Sequence, residues 1–277
     1  MNRNIKILLT VSSVALLLAG CRGGRGRSSA APSNTSVEPT TVTPTSVDPS
    51  DYYGGIGADL SGQNLTNALN VLNNAKRTFQ VGYDEMMNKP AQGFYVTDPG
   101  VSGAKYSITS FYSGTERKGT SGMNREHVWP NSRGGNLVED DIHMIRPTIT
   151  AENGSRGNSF FVEGKKTEHD GWDPAMESFG DATYRGDSAR IVFYAAIAAT
   201  SLTLVDQETD ATSNNTMGKL SDLLKWNLTY PVTDRERIRN EGAQSLQGNR
   251  NPFIDHPEYA CRIWGSTNAT TRQICGM

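Results

Sequence analysis

Histidine and cysteine are scarce in this 277-residue chain, at four and three residues. No His-Glu-x-x-His pair occurs, which argues against a helical zinc site, and no cysteine–histidine spacing suggests a structural zinc. There is no glycine-rich phosphate loop ending in Lys-Ser/Thr and no Gly-x-Ser-x-Gly elbow. No internal repeat is visible. An excess of positive charge is also missing, because 27 Lys and Arg face 29 Asp and Glu, for a net charge of −2. A protein that coats nucleic acid by charge alone is strongly basic, so any polyanion must be met here by a local cluster and a metal ion. The apolar run Ile7 to Ala19 is broken by Thr10, Ser12 and Ser13 and falls short of the roughly 20 residues that a membrane span takes.

That run has the layout of a secretory signal, with Asn2, Arg3, Asn4 and Lys6 before it. It ends in Leu18-Ala19-Gly20-Cys21, which resembles the lipobox of bacterial lipoproteins. The resemblance implies a signal peptide over 1–20, cleavage before Cys21 and acylation of Cys21. It also implies export and attachment to a membrane through the N-terminal lipid, facing the periplasm or the cell exterior. Cleavage removes Arg3 and Lys6 and no acid, leaving a charge of −4. Residues 21–50 are rich in Ser, Thr, Pro and Gly, cannot bury a core and read as a flexible tether. Residues 51–277 have globular composition and a length that suits one domain. Export places the chain in an oxidising compartment. Cys261 and Cys275 then stand as a disulfide or as two free thiols, since Cα spacing decides pairing.

Within the globular part, Leu65, Leu69, Val71 and Leu72 have helical spacing, and Lys89 to Gly103 reads as loop. Tyr106 to Tyr112 alternates as a strand does. The segment ending at Pro130 reads as a strand that proline terminates, and Thr148 to Asn153 opens a helix after Pro147. Asp187 to Leu202 is the strongest helix and Met217 to Leu228 another. Thr233-Asp234-Arg235-Glu236 has capping-box form. The fold class expected is α+β, helix-rich, with a few short strands near the chemistry.

The chemistry concentrates in two patches. Asn124-Arg125-Glu126-His127-Val128-Trp129-Pro130 sets a carboxylate, an imidazole and a cation side by side, and Asn153-Gly154-Ser155-Arg156-Gly157-Asn158 follows. A carboxylate and an amide can hold a hard divalent cation, imidazole accepts a proton near neutral pH, and arginine grips phosphate. Adjacent strand residues point to opposite faces, so Glu126 and His127 share a site only if the strand bends or ends there. His169 and His256 read as structural, and His143 as fold-supporting.

The octet Arg125-Glu126-His127-Val128-Trp129-Pro130-Asn131-Ser132 resembles the signature of the endonuclease I family, secreted or periplasmic bacterial nucleases with a ββα-metal (His-Me) finger. Asp141-Ile142-His143-Met144-Ile145-Arg146-Pro147, continuing to Asn158, resembles the second half of that finger. The stretch Asn249 to Pro257 is similar to a later family segment. By position, the resemblance implies that His127 is the general base, and that Glu126 and Asn153, six residues after Pro147, are metal ligands. Arg156 and Asn158 match polar family positions that contact phosphate or brace the finger. Family members often carry Asn or His at Met144. The arginine that holds the scissile phosphate is open among Arg125, Arg146 and Arg156.

The implied activity is metal-dependent endonuclease cleavage of DNA, with RNA also admitted, to 5′-phosphate products with little sequence preference. Mg²⁺ is the expected cation, with Mn²⁺ or Ca²⁺ as other oxygen-seeking ions. No protein partner is implied. The alternative is a surface lipoprotein that keeps the fold and only binds nucleic acid or another polyanion. The joint presence of His127, Glu126 and Asn153 favours the enzyme.

Overall fold

The computed structural model describes residues 52–167, 171–209 and 215–277. The expected leader, Cys21, the tether and His169 lie outside them. Helices α1 (Gly62–Lys76), α2 (Glu85–Asn88) and α3 (Phe94–Thr97) lead into strands β1 (Ser107–Thr109), β2 (Glu116–Lys118), β3 (Met123–His127) and β4 (Ile145–Ile149). Helix α4 (Thr150–Arg156) follows β4 directly. Short strands β5 (Lys166–Thr167) and β6 (Gly171–Trp172) precede α5 (Tyr184–Ala198). Then come β7 (Thr203–Leu204), β8 (Thr216–Met217), α6 (Leu220–Thr229), α7 (Asp234–Gln247), α8 (Pro252–Asp255), α9 (Tyr259–Trp264) and α10 (Ala269–Ile274). The fold is α+β, as expected. Among the described residues no helix is long and apolar enough to cross a membrane.

Helix α5 is the post around which the rest is built. Tyr184, Ile191, Phe193, Tyr194 and Ile197 are all buried, on every side of the helix, and a helix that is apolar all round belongs in a core. α1, α6 and α8 pack against it. Its polar residues are matched inside. Arg190 donates to Glu236 at 2.5 and 2.8 Å, and Glu236 also closes the capping box of α7 by accepting from the Thr233 backbone at 2.9 Å. One carboxylate thus caps one helix and neutralises a buried cation on another.

The strands pair only two by two among the described residues. β3 and β4 are antiparallel, with Glu126 opposite Arg146 and His127 opposite Ile145. β3 stops at His127, three residues before Pro130. Pro147 stands inside β4 opposite Arg125; the pair has no third strand, so the missing N–H costs no ladder bond. The helix therefore starts at Thr150, two residues later than the sequence suggests, and ends at Gly157 with φ +56°, a region that favours glycine. β3, β4 and α4 together form a ββα unit.

The expected strand over 106–112 shrinks to three residues. Tyr106 and Tyr112 have φ of +61° and +76°, which breaks the extended backbone at both ends. The expected loop over 89–103 holds the one-turn helix α3, made stable by burial of Phe94. Gly93 permits this, because a Cβ there would lie 1.9 Å from the Met86 carbonyl oxygen. Cys261 and Cys275 form a disulfide with Cα atoms 5.6 Å apart, which ties α9 to the end of α10.

Candidate active site

Alternation along β3 sorts its side chains. Asn124 and Glu126 face α4, and Arg125 and His127 face the other way. On the α4 side, Glu126 is only 2 % exposed. Its Oε1 accepts a hydrogen bond from Tyr112 Oη at 2.9 Å and lies 3.6 Å from Arg156 Nε. Both of these contacts are made by Oε1, which leaves Oε2 as the second carboxylate oxygen. Burial raises the Glu126 carboxyl to about 7, against the lowering effects of the Arg156 charge and the Tyr112 hydroxyl. The anionic form is therefore short of positive charge where it stands.

Asn153, on the facing side of α4, donates its amide nitrogen to Asn124 Oδ1 at 3.0 Å and reaches the Arg125 carbonyl at 3.5 Å. That fixes the amide and, among the described residues, leaves Oδ1 without a hydrogen-bond donor. Glu126 Oε2 and Asn153 Oδ1 are both hard oxygens, the donor type that Mg²⁺ selects when water fills most of its shell. Among the described residues no three His, Cys, Asp or Glu side chains gather as a metal site. The two oxygens and the under-neutralised carboxylate fit a lightly held, hydrated divalent cation rather than a caged one.

On the opposite face, the His127 side chain is 14 % exposed. Its ring lies against Tyr83, centroids 5.0 Å apart and tilted 40°. Nε2 is itself buried, makes no hydrogen bond among the described residues and stands 3.7 Å from Glu139 Oε2. Burial lowers the His127 pKa below its ordinary 6.5, with Glu139 pulling it up and Arg125 and Arg156 adding to the fall. The imidazole is thus neutral at neutral pH, the state a proton acceptor needs. A test follows from the signs. Glu139→Gln removes an upward influence, so the acid limb of any His127-dependent activity should move to lower pH. A limb that moves up or stays would show that Glu139 does not act on this ring.

The arginines divide by burial. Arg146 is 2 % exposed, pairs with Asp98 at 3.0 Å, and stacks 4.1 Å over Phe111. Arg156 is 1 % exposed and donates to the carbonyls of Val128 and Gly157 at 2.7 and 3.0 Å. Both brace the finger from inside and present no surface to a phosphate. Arg125 stays partly exposed, held to Asp84 at 2.7 Å and to the Tyr83 carbonyl at 3.0 Å, with its guanidinium 3.9 Å over the Tyr83 ring. Asn158 is exposed, and its carbonyl accepts from Arg133 Nε at 2.8 Å.

The structure therefore sets Glu126 against Arg156, and Asn153 against Asn124, on the α4 side of β3, with Arg125 and His127 on the other side. The two groups meet where the strand ends, through Arg156, whose Nη1 reaches the His127 carbonyl at 3.5 Å. His143 lies below, 1 % exposed, with Nε2 at 3.1 Å from the Asn249 carbonyl and its pKa lowered to about 4 by burial. Asp141, Tyr194, Asn73, Gln247 and Asn249 complete this buried network. It supports the β3–β4 connection, which gives the segment from Asn249 a structural use. His256 stacks on Tyr259 at 4.7 Å and contacts Glu258 at 3.1 Å.

Three residues at this site carry no signal in the sequence patches: Tyr112, Tyr83 and Glu139. Tyr112 reaches Glu126 only because of its positive φ, which no local pattern announces. Glu139 lies in the connection between the strands, where a lone acid looks like any surface carboxylate.

The β3–β4 pair, the helix behind it and the imidazole at the strand end form one ββα unit. A profile of the endonuclease I family matches residues 70–258, a span that contains this whole unit, and the chain belongs to that family. An extracellular ribonuclease of Bacillus amyloliquefaciens is 41 % identical over 161 residues, covering 51 % of this chain and 53 % of that protein. An extracellular ribonuclease of Bacillus subtilis (strain 168) is 40 % identical over 160 residues, covering 51 % and 54 %. The chain spans about half the length of the curated relatives it matches.

Proposed function

We propose that the domain over 51–277 is an exported endonuclease that hydrolyses phosphodiester bonds in RNA and DNA with the help of a divalent cation. The observation that carries this reading is the site at the end of β3. It combines a neutral, half-buried imidazole on one side with two oxygen donors, one of them an under-neutralised carboxylate, on the other. Both relatives are named extracellular ribonucleases, which supports including RNA beside DNA in the test.

His127 accepts a proton from the attacking water, using the ring nitrogen that makes no hydrogen bond among the described residues. Tyr83 and Glu139 hold the ring in place. Glu126 and Asn153 would hold the cation, Mg²⁺ by donor type. When bound, that ion neutralises charge growing on the phosphate and the leaving oxygen. Tyr112 and Arg156 keep the Glu126 carboxylate aimed and ionised. Arg125 and Asn158, the exposed members of the two patches, receive substrate phosphates. Breakage of the bond to the 3′ oxygen leaves 5′-phosphate and 3′-hydroxyl ends.

The direct test incubates the protein with plasmid DNA and with structured RNA, in Mg²⁺ and in EDTA. Nicking or fragmentation in Mg²⁺ that stops in EDTA is expected on both polymers. Cleavage that continues undiminished in EDTA would refute the assigned chemistry. The same reading holds that residues 1–20 direct export, Cys21 carries lipid and residues 21–50 tether the domain to the membrane. Cys21→Ser should then shift the protein from the detergent phase to the aqueous phase, and unchanged partitioning would rule out acylation at that position.

A further inference from the structure

The hairpin β1–β2 presents a surface that the chemistry above does not use. Tyr106, just before β1, sits at φ +61° with 50 % of its surface exposed. That conformation costs an L-residue on the order of 1 kcal/mol. It is held by the Gly119 N–H, which donates to the Tyr106 carbonyl at 2.8 Å, and by the Tyr95 ring, which meets Tyr106 edge-on at 6.0 Å and 88°. An aromatic ring held out into solvent from a strained backbone does nothing for the core. Glycine would serve the turn better.

Cations outnumber acids around it. Lys105 Nζ stands 5.1 Å from the Tyr106 ring centroid, and Arg117 and Lys118 are exposed on β2. Lys118 is paired in register with Ser107, the neighbour of Tyr106. None of these three cations forms an ion pair within 4 Å among the described residues, although the Glu152 carboxyl feels the Arg117 charge, whereas Arg146, Arg190, Arg239 and Arg250 are all closely paired. The one acid of β2, Glu116, turns aside to accept from the Ser102 backbone at 2.9 Å. The hairpin also connects to the finger. β2 runs through residues 119–122 into β3, and the Gly122 carbonyl accepts from the backbone of Thr150, the first residue of α4, at 3.0 Å.

We propose that this hairpin is an accessory binding site for single-stranded nucleic acid, in which Tyr106 stacks an unpaired base while Lys105, Arg117 and Lys118 hold the flanking phosphates. An exposed ring with cations beside it is the combination that binds single strands without reading sequence. In a chain of net negative charge, it supplies the local basic track that the overall composition lacks. The proposal rests on the nucleic-acid reading of the finger and adds a preference for unpaired substrate outside the reacting centre.

The test uses the full chain in EDTA, so that turnover does not enter. Fluorescence anisotropy follows binding of a labelled single-stranded oligonucleotide of about 12 nucleotides and of a blunt duplex of equal length. Tyr106→Gly should weaken single-strand binding by roughly 5- to 100-fold, the range of one base–aromatic stack, and leave duplex binding nearly unchanged. Its melting temperature should not fall, because glycine adopts this φ freely. Lys105→Gln and Lys118→Gln should each reduce the slope of log affinity against log salt by about 0.7. In a separate assay with Mg²⁺ in place of EDTA, hydrolysis of bis(p-nitrophenyl) phosphate, which occupies only the reacting centre, should be unaffected by all three. Single-strand binding unchanged in Tyr106→Gly, or an equal loss on duplex, overturns the accessory site alone. A wild-type chain that binds neither oligonucleotide overturns it together with the nucleic-acid reading.

Discussion

Replacing His127 by alanine should reduce cleavage of DNA and RNA by about 10²- to 10⁴-fold, the usual contribution of a positioned general base, while the protein stays folded. The side chain is 14 % exposed, and its Nε2 makes no hydrogen bond among the described residues. Its removal therefore strands no partner in the interior, and Tyr83 and Glu139 can both turn to water. Substrate affinity should change little, because Arg125, proposed above to receive phosphate, is held by Asp84 and Tyr83 rather than by the imidazole. Cleavage within a few-fold of wild type in His127→Ala would remove the ring from the chemistry. A variant that unfolds would give it a packing role instead, which circular dichroism at matched concentration distinguishes.

Glu126 should behave differently because it is fully buried. Glu126→Ala leaves the Arg156 guanidinium and the Tyr112 hydroxyl without their shared partner. Breaking a buried pair in this way costs about 3–5 kcal/mol, so that variant should lose both activity and stability, read by urea denaturation. Glu126→Gln keeps the shape and the Tyr112 contact and removes the charge. It should stay folded, need much higher Mg²⁺ for the same rate, and lose the thermal stabilisation that Mg²⁺ gives the wild type. If Glu126→Gln cleaves normally at low Mg²⁺, this carboxylate is not a cation ligand. Linkage adds a pH signature. In chelator the carboxyl titrates about 7 in the fold, against an ordinary value of 4.5. A raised acid stabilises the fold below its unfolded pKa, and that contribution is lost as pH rises from about 4.5 to about 7. His127, lowered in the fold, works in the opposite sense over part of that window. The Glu126 share is therefore read as the difference between wild type and Glu126→Gln.

The long helices were legible because periodicity and capping act locally. The spacing of Leu65 and Leu69 and the Thr233–Glu236 box both correspond to observed helices. The helix expected from Thr148, directly after Pro147, starts at Thr150 because β4 runs on through Pro147 to Ile149, where a two-stranded pair tolerates the proline. The strand over 106–112 failed at both ends for a reason no alternation pattern contains, the positive φ of Tyr106 and Tyr112. At the site, residue types and spacing singled out Glu126, His127 and Asn153, but they could not say which way each side chain points. Burial sorted the arginines. Arg146 and Arg156 look as available as Arg125 in one dimension, and only the packing of Asp98, Phe111 and Phe161 around them shows that their charges are spent inside. Tyr112, Tyr83 and Glu139 come from segments outside both patches and reach the site only through the tertiary fold.

The decisive measurement is anomalous scattering from a crystal of the protein soaked in manganese. A single strong peak should lie within coordinating distance of Glu126 Oε2 and Asn153 Oδ1, on the α4 side of β3, with the His127 ring outside its inner shell. A peak bound to the imidazole, or ordered manganese found only elsewhere on the molecule, would contradict the division of labour between one imidazole and one oxygen pair.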